Sequence, residues 1–334
     1  MPDLQGRPVK TAQRLPAAAG ALALIALFGA LHWFDAAIGA AGPLPEKKLV
    51  YIAPGTPTAA LAQQLRQAGV IGNPFVFRLE AQLQSRLRPL KAGEYMVPAH
   101  ISILDLVTVL QSGKTFERKI TIPEGLTSPE IVQLLDKETA LKGDVAAVPP
   151  EGSLLPNTYE FSYGDTRESL LARMQKAMKA ELAALWTKRA AKYPLTEQQA
   201  VVLASVVEKE TGVAPERGRI AGVFFNRLKR GIPLQSDPTV IFALTQGQQP
   251  LGRPLTADDL KTPSPYNTYV TAGLPPAAIC NPGVAALKAA LDPEKNDYLY
   301  FVANGQGGSS FSKTLQQHKR DIAAWLRARR AEKK

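Results

Sequence analysis

The stretch from Leu15 to Phe34 constrains this chain more than any other feature, because its twenty residues include no Asp, Glu, Lys or Arg. A helix rises about 1.5 Å per residue, so this one would be roughly 30 Å long, the thickness of the hydrocarbon core of a bilayer. Trp33 lies at its end, where an amphipathic ring prefers the boundary between membrane and water. The sequence therefore predicts a single N-terminal transmembrane helix over residues 15–36.

The charges that flank this stretch predict its orientation. Three basic side chains precede it against one acidic side chain: Arg7, Lys10 and Arg14 against Asp3. The positive-inside rule then places residues 1–14 in the cytoplasm and everything after the helix outside it. A cleaved signal peptide is the alternative, because small residues run from Ala36 to Gly42, although the apolar stretch is long for a signal peptide. In both cases the body of the chain is extracytoplasmic.

The net charge of +11 restricts the kinds of molecule that this extracytoplasmic body is expected to bind. Residues 1–46 hold three basic and three acidic side chains, so all of the excess charge lies after them. A basic surface outside the cytoplasm favours anionic lipid headgroups and acidic polymers, and it argues against nucleic acid. Cys280 is the single cysteine, which excludes an internal disulfide, and the three histidines are too scattered to indicate a zinc site. We therefore expect no metal and no cofactor.

Changes in local pattern divide the body into segments. Residues 37–46, with Gly, Ala and two Pro, are typical of a linker. Residues 47–117 alternate short β-rich stretches with amphipathic helices, a pattern typical of small βα modules for docking or ligand binding. In residues 118–326 helices alternate with loops rich in Pro and Gly, and residues 327–334 form a basic tail. The expected fold class is α+β, with a mixed, mainly helical second domain.

Two glutamates end a helix that the sequence marks clearly. The stretch LTEQQAVVLASVVEKETGV begins with the T-x-x-Q pattern of a capping box and reaches Gly212, a residue type common at helix C-caps. On a helical wheel, Glu210 falls on the arc of the Leu and Val side chains, whereas Glu208 lies about 140° from Leu203. We therefore expect Glu210 to point into the protein and Glu208 to point away from its centre, although the helix is apolar enough to be partly covered all round.

Burial would give Glu210 a chemical role. A carboxyl against Leu and Val side chains loses hydration, which favours its neutral form and raises its pKa. A general acid that works near neutral pH requires such a shift. A structural ion pair is the alternative, and Arg227 is the candidate partner because it falls on the apolar arc of the next helix. The residues alone leave both interpretations open.

Two polar loops that follow carry further candidates, in the stretches LQSDPT and PSPYNTY. Aromatic rings that stack on sugar faces, and amides that bind hydroxyl or acetamido groups, are what a carbohydrate site needs. The alternative is that loops rich in Pro use Asn, Asp, Ser and Thr for local caps. The candidate side chains are Gln235 and Asp237 in the first loop, and Tyr266, Asn267 and Tyr269 in the second.

A series of short motifs runs in a fixed order from these glutamates to the C-terminus. They are V-E-K-E-T, N-R-L, L-Q-S-D-P-T-V, P-Y-N-T-Y, G-L-P-P, N-P-G, Y-L-Y-F-V and F-S-x-T-x-x-x-H. Together they resemble the MltG/YceG family of endolytic murein (peptidoglycan) transglycosylases, and the likeness covers nearly the whole chain. It implies a bacterial inner-membrane enzyme with a cytoplasmic N-terminus, a LysM-like module over residues 47–117 and a periplasmic catalytic domain over residues 118–326.

The resemblance also implies a reaction. The enzyme would cleave the β-1,4 bond between N-acetylmuramic acid and N-acetylglucosamine inside nascent glycan strands, leaving 1,6-anhydro ends and terminating elongation beside the peptidoglycan synthases. The family's catalytic Glu is the second of E-K-E-T, which falls on Glu210 as general acid and then base. The candidates for substrate binding and orientation are Arg227, Gln235, Asp237, Tyr266, Asn267 and Tyr269.

The sequence departs from the family pattern at three places. Family members often carry His where Ser309 stands, many have Glu where Gln317 precedes His318, and Asn157 replaces a frequent Asp. Two other functions remain open at this point: a non-catalytic peptidoglycan-binding scaffold of the elongation machinery, and a lysozyme-like muramidase whose products would have reducing ends.

Overall fold

The computed structural model describes residues 14–85, 88–189 and 195–332. The chain divides into two compact units, Met1–Glu117 and Arg118–Lys334, and each contains a hydrophobic core. Within the described ranges helices predominate, and the strands pair into three two-stranded antiparallel sheets. The α+β class predicted from the sequence is therefore confirmed.

The first unit packs helices against one antiparallel strand pair. Its elements in chain order are α1 (Arg14–Gly39), β1 (Lys48–Ile52), α2 (Thr58–Gln67), α3 (Pro74–Ser85), β2 (Gly93–Val97) and α4 (Ile103–Ser112). Strands β1 and β2 pair so that Lys48 lies opposite Val97 and Ile52 opposite Gly93. Leu65 of α2, Phe77 of α3 and Leu106 of α4 are buried in one core, because each helix is apolar along the face that it turns inward.

Helix α1 passes beyond the predicted span. It is long and apolar enough over Ala19–Gly39 to cross a membrane, but it continues three residues past position 36. Phe34 and Ala37 pack against the core of the first unit, and Ile38 is buried in it. Apolar residues spaced three and four apart continue the helical period, so the helix continues as well. The predicted linker over residues 37–46 is thus partly helical, and Leu44 within it is also buried.

The second unit is mainly helical. Its elements in chain order are β3 (Arg118–Thr121), α5 (Ser128–Asp136), β4 (Thr158–Phe161), α6 (Arg167–Lys188), α7 (Glu197–Glu210), α8 (Arg217–Lys229), α9 (Asp237–Thr245), α10 (Val284–Leu291), β5 (Tyr300–Ala303), β6 (Ser309–Ser312) and α11 (Leu315–Glu332). Strand β3 pairs with β4, and β5 pairs with β6. The predicted basic tail, residues 327–334, belongs to α11 as far as Glu332, and its last two residues lie outside the described ranges.

Helix α7 is the central element of the second unit. Every residue from Ala200 to Val207 is buried, and the helix contacts α8, α9 and α10. The predicted capping box is present, because Thr196 and Gln199 exchange backbone-to-side-chain hydrogen bonds of 2.9 and 3.2 Å. The C-cap was predicted wrongly: α7 ends at Glu210, and the extended Thr211 takes the place expected for Gly212.

Candidate active site

Glu210 is the last residue of α7, and its carboxyl meets the loop that precedes α9. Ser236 Oγ donates a hydrogen bond to Glu210 Oε1 over 2.5 Å. Burial of the carboxyl raises the pKa of Glu210 from 4.5 to about 7, and the negative charge of Asp237 adds to the effect. The C-terminal end of a helix also disfavours a negative charge. Glu210 is therefore substantially protonated at neutral pH, as a general acid must be.

Arg227, the candidate ion-pair partner of Glu210, has other partners. It is buried on α8, and its guanidinium donates to the carbonyl oxygens of Leu299 (2.7 Å), Leu234 (2.8 Å) and Pro233 (3.0 Å). Among the described residues Arg227 forms no ion pair with Glu210, although its charge lowers the pKa of that carboxyl. The structure favours a role for Arg227 in positioning the loop before α9.

Glu208 forms the structural ion pair instead. Arg217 Nη2 lies 3.2 Å from Glu208 Oε1, and the backbone N–H of Gly283 donates to Glu208 Oε2 over 2.8 Å. The Glu208 side chain is only 4% exposed, so the expectation that it points away from the centre was wrong. Other elements cover α7 on several sides, as its apolar composition indicated, and this cover extends to the Glu208 side chain. The two glutamates nevertheless differ in chemistry, since Glu208 has a cationic partner and Glu210 a neutral hydroxyl.

A cluster of buried hydroxyls joins the two polar loops. The backbone N–H of Ser236 donates to Thr268 Oγ1 over 3.0 Å, and Thr239 Oγ1 donates to the Ser236 carbonyl over 2.6 Å. The hydroxyls of Thr239 and Thr268 lie 2.8 Å apart. All three residues are buried, so the hydroxyl that meets Glu210 is held from both loops. The sequence showed these residues inside the motifs S-D-P-T and Y-N-T-Y, but nothing in it separated them from ordinary turn residues.

Asp237, Tyr269 and Gln235 lie around this cluster. The Tyr269 hydroxyl donates to Asp237 Oδ1 over 2.6 Å, and burial together with this carboxylate raises the pKa of Tyr269. Gln235 is exposed and has φ 52°, in the left-handed region that costs energy for a residue other than glycine. A hydrogen bond also holds the Gln235 side chain in place, because Arg227 Nη1 donates to Gln235 Oε1 over 3.3 Å. The structure therefore brings these three candidates together beside Ser236.

The remaining candidates of the second loop differ from one another. Tyr266 is half-buried, with its ring packed against Phe242 at a centroid distance of 4.8 Å. Asn267 is fully buried, and its amide group donates to the carbonyl oxygens of Leu260 (3.0 Å) and Thr262 (2.9 Å). These bonds shape the loop, so the structure favours a structural role for Asn267 over substrate binding.

Ser309, which departs from the family pattern, and His318, which follows a second departure at Gln317, have identified partners. Ser309 binds the carboxylate of Glu216 through its backbone N–H (2.7 Å) and its hydroxyl (2.8 Å). The imidazole of His318 stacks on Tyr300 at 5.0 Å, and the Arg227 guanidinium lies 5.1 Å from the same ring. Burial lowers the pKa of His318, and the charge of Arg227 lowers it further. The neutral imidazole of His318 thus packs on the Tyr300 ring that Arg227 also contacts. Ser309 holds Glu216 in the segment between α7 and α8.

Glu151 is a second carboxyl that the sequence did not single out. Burial raises its pKa to about 7, although hydrogen bonds from Ser128 act in the opposite direction. Both of its oxygens accept from the backbone N–H of Ser128, at 2.9 and 3.0 Å, at the start of α5. Glu151 therefore caps a helix, a favourable place for a carboxylate. The described residues contain no cluster of three or more His, Cys, Asp or Glu arranged to hold a metal ion.

The pKa of Glu210 makes the stability of the protein depend on pH. The pKa of this carboxyl is 4.5 in the unfolded chain and about 7 in the folded protein. Between these pH values the folded state therefore binds more protons than the unfolded state. The free energy of unfolding then falls as the pH rises through this window, by about 3 kcal/mol for this group. We expect the Glu210→Gln variant to gain thermal stability over the parent protein between about pH 5 and pH 8. Melting followed by tryptophan fluorescence in detergent checks this, and a difference independent of pH would contradict it.

Comparison with known proteins agrees with the family that these motifs resemble. A family model described as the YceG-like family matches residues 50–324. An endolytic murein transglycosylase of Bacillus subtilis (strain 168) is 30% identical over 301 residues, which cover 80% of this chain and 82% of that protein. One from Streptococcus pneumoniae serotype 2 (strain D39 / NCTC 7466) is 30% identical over 331 residues, which cover 84% of this chain but 59% of that protein.

A solved structure extends the likeness to the fold. The 2.6 Å crystal structure of a yceG-like protein from Listeria monocytogenes is 32% identical in sequence, with a TM-score of 0.53. The match covers 83% of this chain and 99% of that one. Because the family model matches residues 50–324, which is most of the chain, this chain belongs to the YceG-like family.

Proposed function

We propose that this protein is an endolytic peptidoglycan transglycosylase in which Glu210 serves as general acid and then as base. One observation carries the proposal: the Glu210 carboxyl has a pKa of about 7 and is held by a neutral hydroxyl rather than by a cation. The names of its relatives support the enzyme class, that of the lytic murein transglycosylases. The bond cleaved is the β-1,4 linkage between N-acetylmuramic acid and N-acetylglucosamine.

In the first step Glu210 donates its proton to the glycosidic oxygen. Ser236 occupies Oε1 as a hydrogen-bond donor, so the proton of the neutral acid resides on Oε2, which remains available to the substrate. The bond between the anomeric carbon and the glycosidic oxygen breaks, and the bonding electrons stay with the oxygen that takes up the proton. The muramic N-acetyl group assists at the anomeric carbon, a departure from the usual scheme with two carboxylates.

In the second step the ionised Glu210 is the base. It removes the proton from the C6 hydroxyl of the muramic residue. O6 then bonds to the anomeric carbon and displaces the N-acetyl oxygen from it, which restores the acetamido group and closes the 1,6-anhydro ring. No water enters, and Glu210 returns to its neutral form. The Ser236 hydroxyl stabilises the carboxylate between the two steps, because a hydrogen bond to the charged form favours it.

The neighbouring side chains supply binding groups. Asp237 is the carboxylate whose charge acts on Glu210, and this charge favours the positive character that develops at the anomeric carbon. Gln235 is exposed and preset by its strained backbone, which suits contact with a polar group of the glycan. We assign Tyr266 and Tyr269 to the sugar faces, and Arg227 and Asn267 to maintenance of the loops.

The cellular setting belongs to the same proposal. Helix α1 anchors the protein in the inner membrane with its N-terminus in the cytoplasm, which places the second unit in the periplasm. The first unit is a LysM-like module that binds glycan, and cleavage beside the synthases terminates strand elongation. Support comes from the basic residues before α1 and from the β–α–α–β order of the first unit.

Analysis of the products tests the reaction. Full-length protein in detergent is incubated with purified sacculi, and the products are examined by mass spectrometry before and after borohydride reduction. The proposal predicts muramic ends that are lighter by one water and resist reduction, in strands cut at internal positions. Reducible ends would indicate a muramidase. Binding to sacculi without new ends would indicate a scaffold, and either result contradicts the proposal.

Ser236 sets the upper pH limit of the reaction. Its hydrogen bond lowers the pKa of Glu210, so its removal should raise that pKa further. A hydrogen bond to a charged group contributes about 1.5–3 kcal/mol, which corresponds to roughly one to two pH units. In the Ser236→Ala variant we therefore expect the alkaline limb of kcat/KM to move upward by about that amount. Thr239→Val is the matched control, because it perturbs the same hydroxyl cluster without touching Glu210. A limb that moves equally in both variants, or in neither, would refute this role.

A further inference from the structure

The outward side of α3 carries three large apolar side chains on successive turns. Phe75, Leu79 and Leu83 are 63%, 36% and 53% exposed, and their spacing of four residues aligns them along one side of the helix. The inward face of α3 is apolar as well, with Val76 and Phe77 fully buried in the core. A surface helix of a soluble domain is normally polar on its outward side, so this stripe indicates a second apolar environment.

The position of α3 within the first unit identifies that environment. Helix α3 contacts α1, whose segment from Phe34 to Ile38 packs against the core of the unit. The large apolar side chains that precede this segment, from Leu22 to Trp33, are more than half exposed, as expected of a surface covered by lipid. If α1 spans the bilayer as far as Trp33, the membrane boundary lies about one helical turn from the residues of α1 that pack against the core of the unit.

Distances allow the stripe to reach that boundary. The axes of two packed helices lie roughly 8–10 Å apart, and each interfacial layer of a bilayer is about 5–8 Å thick. A flexible linker could have separated the first unit from the membrane. Residues 42–44 of the predicted linker are instead hydrogen-bonded to the first unit. The backbone of Gly42 donates to His100 O over 3.2 Å, and His100 N donates to Leu44 O over 2.8 Å. The unit is therefore held at the end of the anchor.

The charge of this side of α3 also suits a lipid surface. Arg78 is exposed between the turns of the stripe. Glu80, the one acidic residue of α3, is only 4% exposed and accepts a hydrogen bond from Gln84 over 3.1 Å. An apolar stripe with an exposed arginine and no exposed carboxylate is the composition of helices that lie in the interface of anionic membranes.

We propose that Phe75, Leu79 and Leu83 insert into the interfacial layer of the leaflet on the same side as the first unit, with Arg78 at the anionic headgroups. This contact rests on the proposed membrane placement of α1 and adds a second attachment to it. The two attachments together fix the orientation of the first unit relative to the membrane, which a single helix does not.

A fluorescent label at Leu79 tests the contact. The Leu79→Cys variant of the full-length protein is labelled with nitrobenzoxadiazole and reconstituted into vesicles of phosphatidylethanolamine and phosphatidylglycerol. Cys280 is fully buried and burial raises the pKa of its thiol, so the parent protein serves as a labelling blank. We expect blue-shifted emission with at least about a twofold gain in intensity, and quenching by lipids that carry a nitroxide near the top of the acyl chain.

The control variant is Met96→Cys on β2, where the replaced side chain is 40% exposed and similar in size. Its label should retain the emission of an aqueous environment and respond to iodide in the buffer. Resistance to alkaline carbonate extraction reports separately on α1, so failure of the anchor and failure of the stripe give different results.

Two outcomes would overturn the contact while α1 stays integrated. In one, the Leu79 label behaves like the Met96 label. In the other, it is shielded but insensitive to the nitroxide lipids, and the shielding disappears on dilution into excess lipid, which would show a second copy of the chain covering the stripe. A variant that combines Phe75→Ser, Leu79→Ser and Leu83→Ser provides a second measurement, with the label placed at Arg78→Cys. The three replaced side chains are exposed, so we expect the fold to remain intact. Loss of the stripe should abolish the quenching that the same label shows when the stripe is present.

Discussion

The Glu210→Gln variant is expected to lose at least about 10²-fold, and up to about 10⁴-fold, of the rate at which 1,6-anhydro ends form. Glutamine keeps the shape of the side chain and can still accept the hydrogen bond of Ser236. It can neither donate a proton to the glycosidic oxygen nor remove one from the C6 hydroxyl. Both proposed steps therefore fail at one position, and the measurement is the yield of anhydro ends from sacculi per unit time.

A matched control lies on the same helix. Glu197 is exposed in the first turn of α7, so Glu197→Gln makes the same chemical change at the opposite end of the helix. It should retain the parent rate, while the melting temperature shows that both variants are folded. Equal yields of anhydro ends from the Glu210→Gln variant and the parent protein would remove Glu210 from the mechanism.

The Glu208→Gln variant is expected to lose stability instead of chemistry. Its carboxylate pairs with Arg217, and both side chains are largely buried, at 4% and 13% exposed. Loss of one partner of a buried pair leaves an uncompensated charge, which costs about 3 kcal/mol or more. We expect about 3 kcal/mol here, because Arg217 keeps a second, more exposed partner in Glu124 at 3.6 Å. Chemical denaturation of the full-length protein measures the loss.

Two comparisons separate this effect from a general one. Glu294→Gln breaks an ion pair with Arg219 at 2.9 Å in which both side chains are 41% exposed, and it should cost less than about 1 kcal/mol. Adding Arg217→Gln to Glu208→Gln should restore part of the lost stability, because the uncompensated charge is then gone. The folded fraction of Glu208→Gln should form anhydro ends at nearly the parent rate. A Glu208→Gln variant that is stable but inactive would show that Glu208, and not Glu210, carries the chemistry.

The sequence carried enough information to identify the catalytic candidate. The wheel placed Glu210 among apolar side chains because helical periodicity is local, and the structure gives this carboxyl a raised pKa. The apolar stretch near the N-terminus predicted a helix long enough to cross a membrane for the same local reason. The wheel was wrong about Glu208, since the residues that cover it lie outside α7: Arg217 begins the next helix, and Gly283 lies 75 residues further along the chain.

The partners of the other candidates could not be read from the sequence. Arg227 lies on an apolar arc, and only the folded chain shows that carbonyl oxygens of two loops satisfy it in place of Glu210. Asn267 has the type of side chain that binds sugars, yet its amide donates hydrogen bonds within its own loop. Ser236 appeared as one turn residue among many, and its contact with Glu210 joins positions 26 residues apart.

By itself the sequence determined the long apolar helix near the N-terminus, the α+β class, the helix that carries Glu210 and the family. These features follow from periodicity, caps and motif order, all of which are properties of neighbouring residues. The tertiary structure decided which glutamate has a cationic partner and which has a hydroxyl, and that α1 continues into the core of the first unit. A pKa near 7 depends on the groups that surround a carboxyl, and residues far along the chain supply those groups only after it has folded.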